Sequence, residues 1–178
     1  MGLAEEFEKE KLIMGVIFHD EDIFRQAMAI LDEKFGPRDF ATDEFSFTEL
    51  FSDYYDGEVG GEARRIIFSY ERLVDPKEQA AIKSYTNELE ARFSNEGLRK
   101  INLDPGFMSH GRLMLATTKK TGFRIPLSDG IYTELTLFYA RGAWQKLPWT
   151  YRDYQSDFVQ AFLTKVRRKY LEQRKEEK

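Results

Sequence analysis

The alternation of apolar and polar residues divides the chain into short elements. Residues 12–18 are apolar without a break and contain Gly15, a length and composition that suit a strand buried on both faces. Asp20 is placed to cap a helix. Ile23, Phe24, Ala27, Ile30, Leu31 and Phe35 follow at helical spacing, and Gly36-Pro37 stops them. Residues 40–47 alternate imperfectly, with Phe45 and Phe47 on one face, and predict a second strand. Residues 49–61, rich in glycine, tyrosine and acid, predict a loop, and residues 65–74 a third strand centred on Ile67 and Phe68. Asp75-Pro76-Lys77-Glu78 opens a second helix: Asp75 caps, Pro76 needs no N–H at the first position, and Glu78 completes a capping box. Its stripe is Ile82, Tyr85, Leu89 and Phe93, closed by residues 95–97. Residues 99–104 alternate again, with Ile101 and Leu103 on one face and Lys100, Asn102 and Asp104 on the other. Pro105-Gly106 predicts a tight turn after them.

Strand, helix, strand, strand, helix, strand is the ferredoxin-like order, in which two helices cover one face of the sheet and leave the other open. Beyond it, residues 109–116 fit a short helix or an irregular strand. Residues 123–127, 131–139 and 143–147 predict a three-strand meander with turns at Ser128-Asp129-Gly130 and Arg141-Gly142. Val159, Leu163, Val166 and Tyr170 mark a last helix. The expectation is therefore an α+β fold: a ferredoxin-like βαββαβ core over about residues 11–105, and a C-terminal antiparallel β-meander with a terminal helix over about 106–171. A charged tail fraying over 172–178 completes the chain, which reads as a single domain from 1 to 178 whose extension closes the open face.

Composition narrows the function classes. With 178 residues, 42% hydrophobic and 15% aromatic, the chain has enough apolar surface for a core, and a domain of this size buries about two-thirds of its unfolded surface. The net charge of −4 argues against a general nucleic-acid binder. With no cysteine, disulfides, zinc–thiolate sites and thiol catalysis are excluded. The acidic start, Glu5 to Glu10, lacks the cationic and apolar regions of a signal peptide, and no apolar run reaches membrane-spanning length, so the expectation is a cytoplasmic protein without a membrane partner.

The densest mixture of core and polar chemistry lies between Asn102 and Arg124. If the extension covers the open face, Asn102, Asp104, Lys119, Arg124 and Glu134 converge on a pocket. Asp104 and Glu134 are the candidate catalytic pair, because carboxylates beside fixed cations serve as acid and base. Lys119 and Arg124 would hold an anion, and Asn102, Thr117 and Thr118 would supply directional hydrogen bonds. Tyr54, Tyr55, Trp149 and Tyr151 are aromatic side chains with polar handles, suited to a ligand wall or an interface. Their competing reading is structural: a capped turn, solvated lysines and an anchor for the last helix. There is no Gly-x-x-x-x-Gly-Lys-Ser/Thr loop, no Gly-x-Gly-x-x-Gly and no Gly-x-Ser-x-Gly elbow. Asp53, Asp56 and Glu58 do not have calcium-loop spacing, and His19 and His110 lack a third ligand for zinc, so no metal or other cofactor is called.

Several segments together resemble the domain of unknown function 4416 family: Asn102-Leu103-Asp104-Pro105-Gly106, Leu115-Ala116-Thr117-Thr118-Lys119, Gly130 to Leu137 with Glu134, and Leu147-Pro148-Trp149-Thr150-Tyr151-x-Asp153-Tyr154. Phe47-Thr48 with Asp53-Tyr54-Tyr55, and Thr86 to Glu90, match as well, and Pro126 and Arg152 depart from the family's pattern. The resemblance implies a small, prokaryotic, uncharacterised family and brings no reaction. Some members carry a GTP-binding label, but the chain has neither a Walker loop nor an Asn/Thr-Lys-x-Asp motif. The leading expectation is a binding protein or enzyme for a small polar or anionic metabolite or nucleotide. The alternatives are a non-catalytic interaction module forming a homo-oligomer, and a weak single-stranded RNA binder.

Overall fold

A computed structural model describes residues 2–176. The apolar run becomes the central strand β1 (Glu10–Phe18), followed by helix α1 (Glu21–Phe35), whose first amides are capped by the Asp20 carboxylate. Gly36, at φ 91°, ends α1 in a conformation that favours glycine. Strands β2 (Arg38–Ala41) and β3 (Phe45–Ser46), the short helices α2 (Phe47–Leu50) and α3 (Asp56–Val59), and the long strand β4 (Arg64–Val74) follow. The Asp75 capping box opens a single 3-10 turn at Pro76–Glu78 that leads into α4 (Gln79–Arg92). The remaining elements are β5 (Ile101–Met108), β6 (Arg112–Thr117), β7 (Ile125–Pro126), β8 (Tyr132–Ala140), β9 (Ala143–Lys146) and α5 (Asp157–Glu176).

Among the described residues, nine strands form one sheet in which every pairing is antiparallel, in the order β2-β4-β1-β5-β6-β8-β7, with β3 also on β4 and β9 also on β8. The result is an α+β fold with one large antiparallel sheet. Strand alternation sorts β1 between two cores. Leu12, Met14, Val16 and Phe18 pack with α1 and α4, while Ile13 packs with Ile67 of β4 and with Val159, Leu163 and Val166 of α5. On that second face Ile17 meets Phe47, Val59 and Ala63 beneath the α2–α3 segment. Among the described residues no helix is long and apolar enough to cross a membrane.

The structure departs from the sequence-based expectations at identifiable places. The strand expected over 40–47 is two short pieces, and the second ends at Ser46, whose hydroxyl accepts from Glu49 N–H and starts a helix at Phe47. The loop expected over 49–61 holds the end of α2 and the single turn of α3, and Asp56 of α3 accepts from Thr48 Oγ1 and Ala63 N–H. The 109–116 segment is a strand, β6. Of the meander's first strand only Ile125–Pro126 is paired, whereas the turn residues Arg141 and Gly142 have the positive φ values of a tight hairpin, 54° and 80°. The meander does not close the open face; β6 and β8 lengthen the sheet, and α5 covers that face instead. The tail expected to fray is helical to Glu176, held in part by Gln173 on the Glu71 carbonyl; residues 177–178 lie outside the described residues.

Candidate functional site

Pro105-Gly106 does not turn the chain. Both residues run through β5, with Pro105 opposite Met14 and Gly106 opposite Ile13. Their effect is on the other edge of β5. There the ladder with β6 starts only at Gly106↔Leu115. The Leu103 N–H points away from β1, and alternation gives Pro105 the same edge, where it has no N–H to donate. Beyond this point β6 splays from β5, leaving the Leu103 amide and carbonyl without strand partners. Two side chains from α4 replace the missing strand: Glu90 Oε1 accepts the Leu103 N–H at 2.7 Å, and Lys83 Nζ donates to the Leu103 carbonyl at 2.8 Å. Where the two strands part there is a cavity of about 450 Å3.

The floor of the cavity is built around a missing side chain. Gly15 sits opposite Asp104 on one neighbour and Ile67 on the other. A Cβ at this position would come within 2.7 Å of Arg65 Nη2 and 3.3 Å of the Tyr154 hydroxyl. Glycine therefore lets the Arg65 guanidinium lie across the centre of the sheet, only 3% exposed. Arg65 is held by Asp153, with Nε 2.8 Å from Oδ2, and by Asp104, with Nη1 3.3 Å from Oδ2. Burial works against the Arg65 charge, but Asp153, Tyr154 and Asp104 outweigh it and hold the guanidinium above its ordinary range. The two carboxyls separate. Burial pushes Asp153 up more than Arg65 pulls it down; burial also works against the Asp104 charge, but Arg65 and Lys83 bring it below the usual carboxylate range. Asp104 is thus an ionised acceptor at the cavity wall. We expect Gly15→Ala to force the guanidinium aside and cost about 1–3 kcal/mol, measured by urea denaturation, with the loss abolished in an Arg65→Met background where that clash is gone.

From the floor a hydrogen-bonded chain climbs one wall. Asn102 Nδ2 donates to Asp104 at 2.8 Å, Arg99 Nη1 donates to Asn102 Oδ1 at 3.1 Å and to Glu90 at 3.0 Å, and Arg99 Nη2 binds Glu58 of α3 at 2.7 Å. Lys83 and Asn87 of α4, and Thr117, Thr118 and Lys119 at the end of β6, continue this donor-rich side. The rest of the lining is aromatic: Phe47, Phe51, Tyr54 and Tyr55 come from the α2–α3 segment, and Tyr151 and Tyr154 from the connection into α5.

Of the residues singled out in the sequence, Asn102, Asp104, Thr117, Thr118, Lys119, Tyr54, Tyr55 and Tyr151 line this cavity. Glu134 and Arg124 stand outside the lining as an ion pair of 2.6 Å; they reach it through Tyr151, whose hydroxyl accepts from Arg124 Nη2 at 3.1 Å. Burial raises the Glu134 carboxyl in spite of Arg124, and raises the Tyr151 phenol to about 12. Simple alternation would put Tyr132, Glu134, Thr136 and Phe138 on one face of β8, but a bulge breaks it: Leu113 pairs with Leu137 and Met114 with Leu135, so Thr136 is unopposed. Trp149 does not line the cavity. Its indole N–H donates to the Leu135 carbonyl at 2.9 Å and its ring stacks on Phe123, while Thr150 Oγ1 donates to the Thr136 carbonyl at the bulge. Sequence reasoning missed Arg65, Lys83 and Arg99, and gave Asp153 and Tyr154 no site role beyond the family-like motif; together these supply much of the lining. Among the described residues no group of three or more His, Asp and Glu side chains is placed to hold a metal ion.

A family model described as Domain of unknown function (DUF4416) matches residues 8–170. No curated protein and no solved structure matches the chain.

Proposed function

We propose that the chain, which belongs to the domain of unknown function 4416 family, binds a small polar, anionic metabolite in the cavity between β5 and β6. The observation that carries this reading is the charge of the lining. Arg65, Lys83, Arg99, Lys119 and Arg152 face two carboxylates, Asp104 and Asp153, in a chain whose net charge is −4. Arg65, Lys83 and Arg99 have carboxylates within the protein. Among the described residues no ion pair is found for Lys119 or Arg152 at the exposed end, so an oxyanion entering there meets cations whose charge is not already matched. Asp104 accepts hydrogen bonds or a proton from the ligand, and Asn102 and Thr117 orient it. Glu134, through Arg124 and Tyr151, is the second proton-holding group. The antiparallel run β2-β4-β1-β5, with α1 and α4 on one face, supports a ferredoxin-like core as the scaffold. The proposal places the protein in the cytoplasm.

A thermal-shift series tests it with inorganic phosphate, sugar phosphates and aliphatic dicarboxylates. A ligand at a hundred times its Kd adds about 2.7 kcal/mol, or about 5–10 °C for a domain of this size. We expect such a shift, most of it lost in Lys119→Ala/Arg152→Ala and in Asp104→Ala. No shift with any anion, or an undiminished shift in these variants, rejects the reading.

A further inference from the structure

The two walls of the cavity are chemically unlike each other. We propose that its ligand is a planar aromatic or heteroaromatic ring bearing an oxyanion, the ring lying on the aromatic wall and the oxyanion against Lys119. The inference rests on the anion-binding reading and deepens it.

Three observations carry it. The first is that the rings of the aromatic wall already pack on one another. Tyr54 and Tyr55 meet edge to face at 5.0 Å between centroids, Tyr55 meets Phe47 edge to face at 5.4 Å, and Phe47 meets Phe51 at 5.5 Å. Rings packed in this way offer a preformed surface with little conformational freedom left to lose on binding. Second, the free cation is attached to that wall, since Lys119 Nζ lies 5.6 Å from the Tyr54 ring centroid. An anion held by Lys119 is therefore within one ring's reach of Tyr54, so charge recognition and stacking fall on the two ends of one small, flat molecule. Third, the same lining carries polar groups suited to the edge of a ring: the Asp104 carboxylate, the Asn102 amide and Asn87. A flexible, fully hydroxylated ligand would leave the aromatic wall unmatched; an uncharged ring would leave Lys119 unmatched. The cavity, at about 450 Å3, is in the size range of pockets for molecules of this kind.

Calorimetric titration of the intact protein with matched pairs separates aromaticity from charge and size: phenyl phosphate against cyclohexyl phosphate, and benzoate against cyclohexanecarboxylate, with inorganic phosphate as the bare anion. We expect the aromatic member of a pair to bind at least tenfold more tightly than its saturated partner. Tyr54 is 61% exposed, so Tyr54→Leu leaves the fold intact; it should remove most of that margin and, because the ring also lies 5.6 Å from Lys119 Nζ, weaken inorganic phosphate by a much smaller factor. Equal or tighter binding of the saturated members, or a margin unaffected by Tyr54→Leu, overturns the ring assignment and leaves the anion site standing. Absence of binding by every probe overturns both.

Discussion

Arg65→Met is expected to cost about 3–5 kcal/mol of folding stability, the range for removing one partner of a buried ion pair. The wild-type guanidinium is matched by Asp153, whose side chain is 3% exposed, and by Asp104 at the cavity wall. Methionine replaces the apolar stem of the arginine, leaves the guanidinium's place empty and satisfies neither carboxylate. Two like charges are then left together under α5 and the α2–α3 segment, with Tyr154 fully buried beside them. The substitution also alters the pH dependence. In the wild type the Asp104 carboxyl lies below its ordinary value of 3.8, so its contribution to stability is present above 3.8 and lost only as the pH falls through the lower folded value. Without Arg65 the burial that opposes ionisation of Asp104 is no longer outweighed, and that of Asp153, which already raises its carboxyl in the wild type, is opposed still less. The folded carboxyls then titrate above 3.8, the folded state binds more protons than the unfolded chain over that interval, and stability rises as the pH is lowered from neutrality. Urea denaturation at pH 7 and pH 5 reads both effects. A loss below 1 kcal/mol at pH 7, or a variant whose deficit is the same at both pH values, contradicts this account of the floor.

The centre of the fold was legible because local signals and burial agree there. The break-free apolar run of β1 and the caps at Asp20 and Asp75 act within a few residues of the elements they define, and the structure places each within one or two residues of its expected position. The failures have a different origin. Pro105-Gly106 reads as a turn because proline and glycine favour turns in isolation. Here proline's missing N–H faces an edge where the next strand is departing, so it costs no ladder bond, and that depends on β6. Likewise, alternation along β8 tells which residues share a face but not that the strand would lengthen the sheet, and a bulge at Thr136 inverts the faces halfway along.

The site was half legible for the same reasons. Alternation alone put Asn102 and Asp104 on the face away from α1 and α4, and the end of β6 brought Thr117 to Lys119 beside them. Arg65 carried a signal that was not read: a charged residue inside a strand whose following residues are apolar, on the same side as Ile67. Lys83 and Glu90 carried another. They are seven residues apart and directly follow the stripe positions Ile82 and Leu89, so they lie on the flank of the buried face of α4 rather than in solvent. Charged residues at such positions satisfy backbone that no strand reaches, which helical periodicity does not register.

Glu90→Ala is accordingly the second large effect, expected at about 3–5 kcal/mol. The carboxylate, 3% exposed, accepts the Leu103 amide, binds Arg99 at 3.0 Å and lies 4.0 Å from the Lys83 ammonium. Alanine strands a buried N–H and a buried cation at once, at the edge where the cavity begins. Glu90→Gln, which keeps an oxygen for the Leu103 amide, should lose less. The two variants together separate the hydrogen bond from the charge, and pH gives the sign of the charge contribution. Burial raises the Glu90 carboxyl above its ordinary 4.5, and Lys83, the Leu103 amide and Arg99 only partly offset it. The folded state therefore binds more protons than the unfolded chain between 4.5 and the higher folded value, and wild-type stability falls as the pH rises through that interval. Glutamine does not titrate, so the gap between wild type and Glu90→Gln should be widest near pH 4.5 and narrow toward neutrality. A gap that widens with pH instead would mean that Lys83 and Arg99, rather than burial, decide the charge of this carboxyl, and that the edge of β5 is held by an ion network rather than by a hydrogen-bond acceptor.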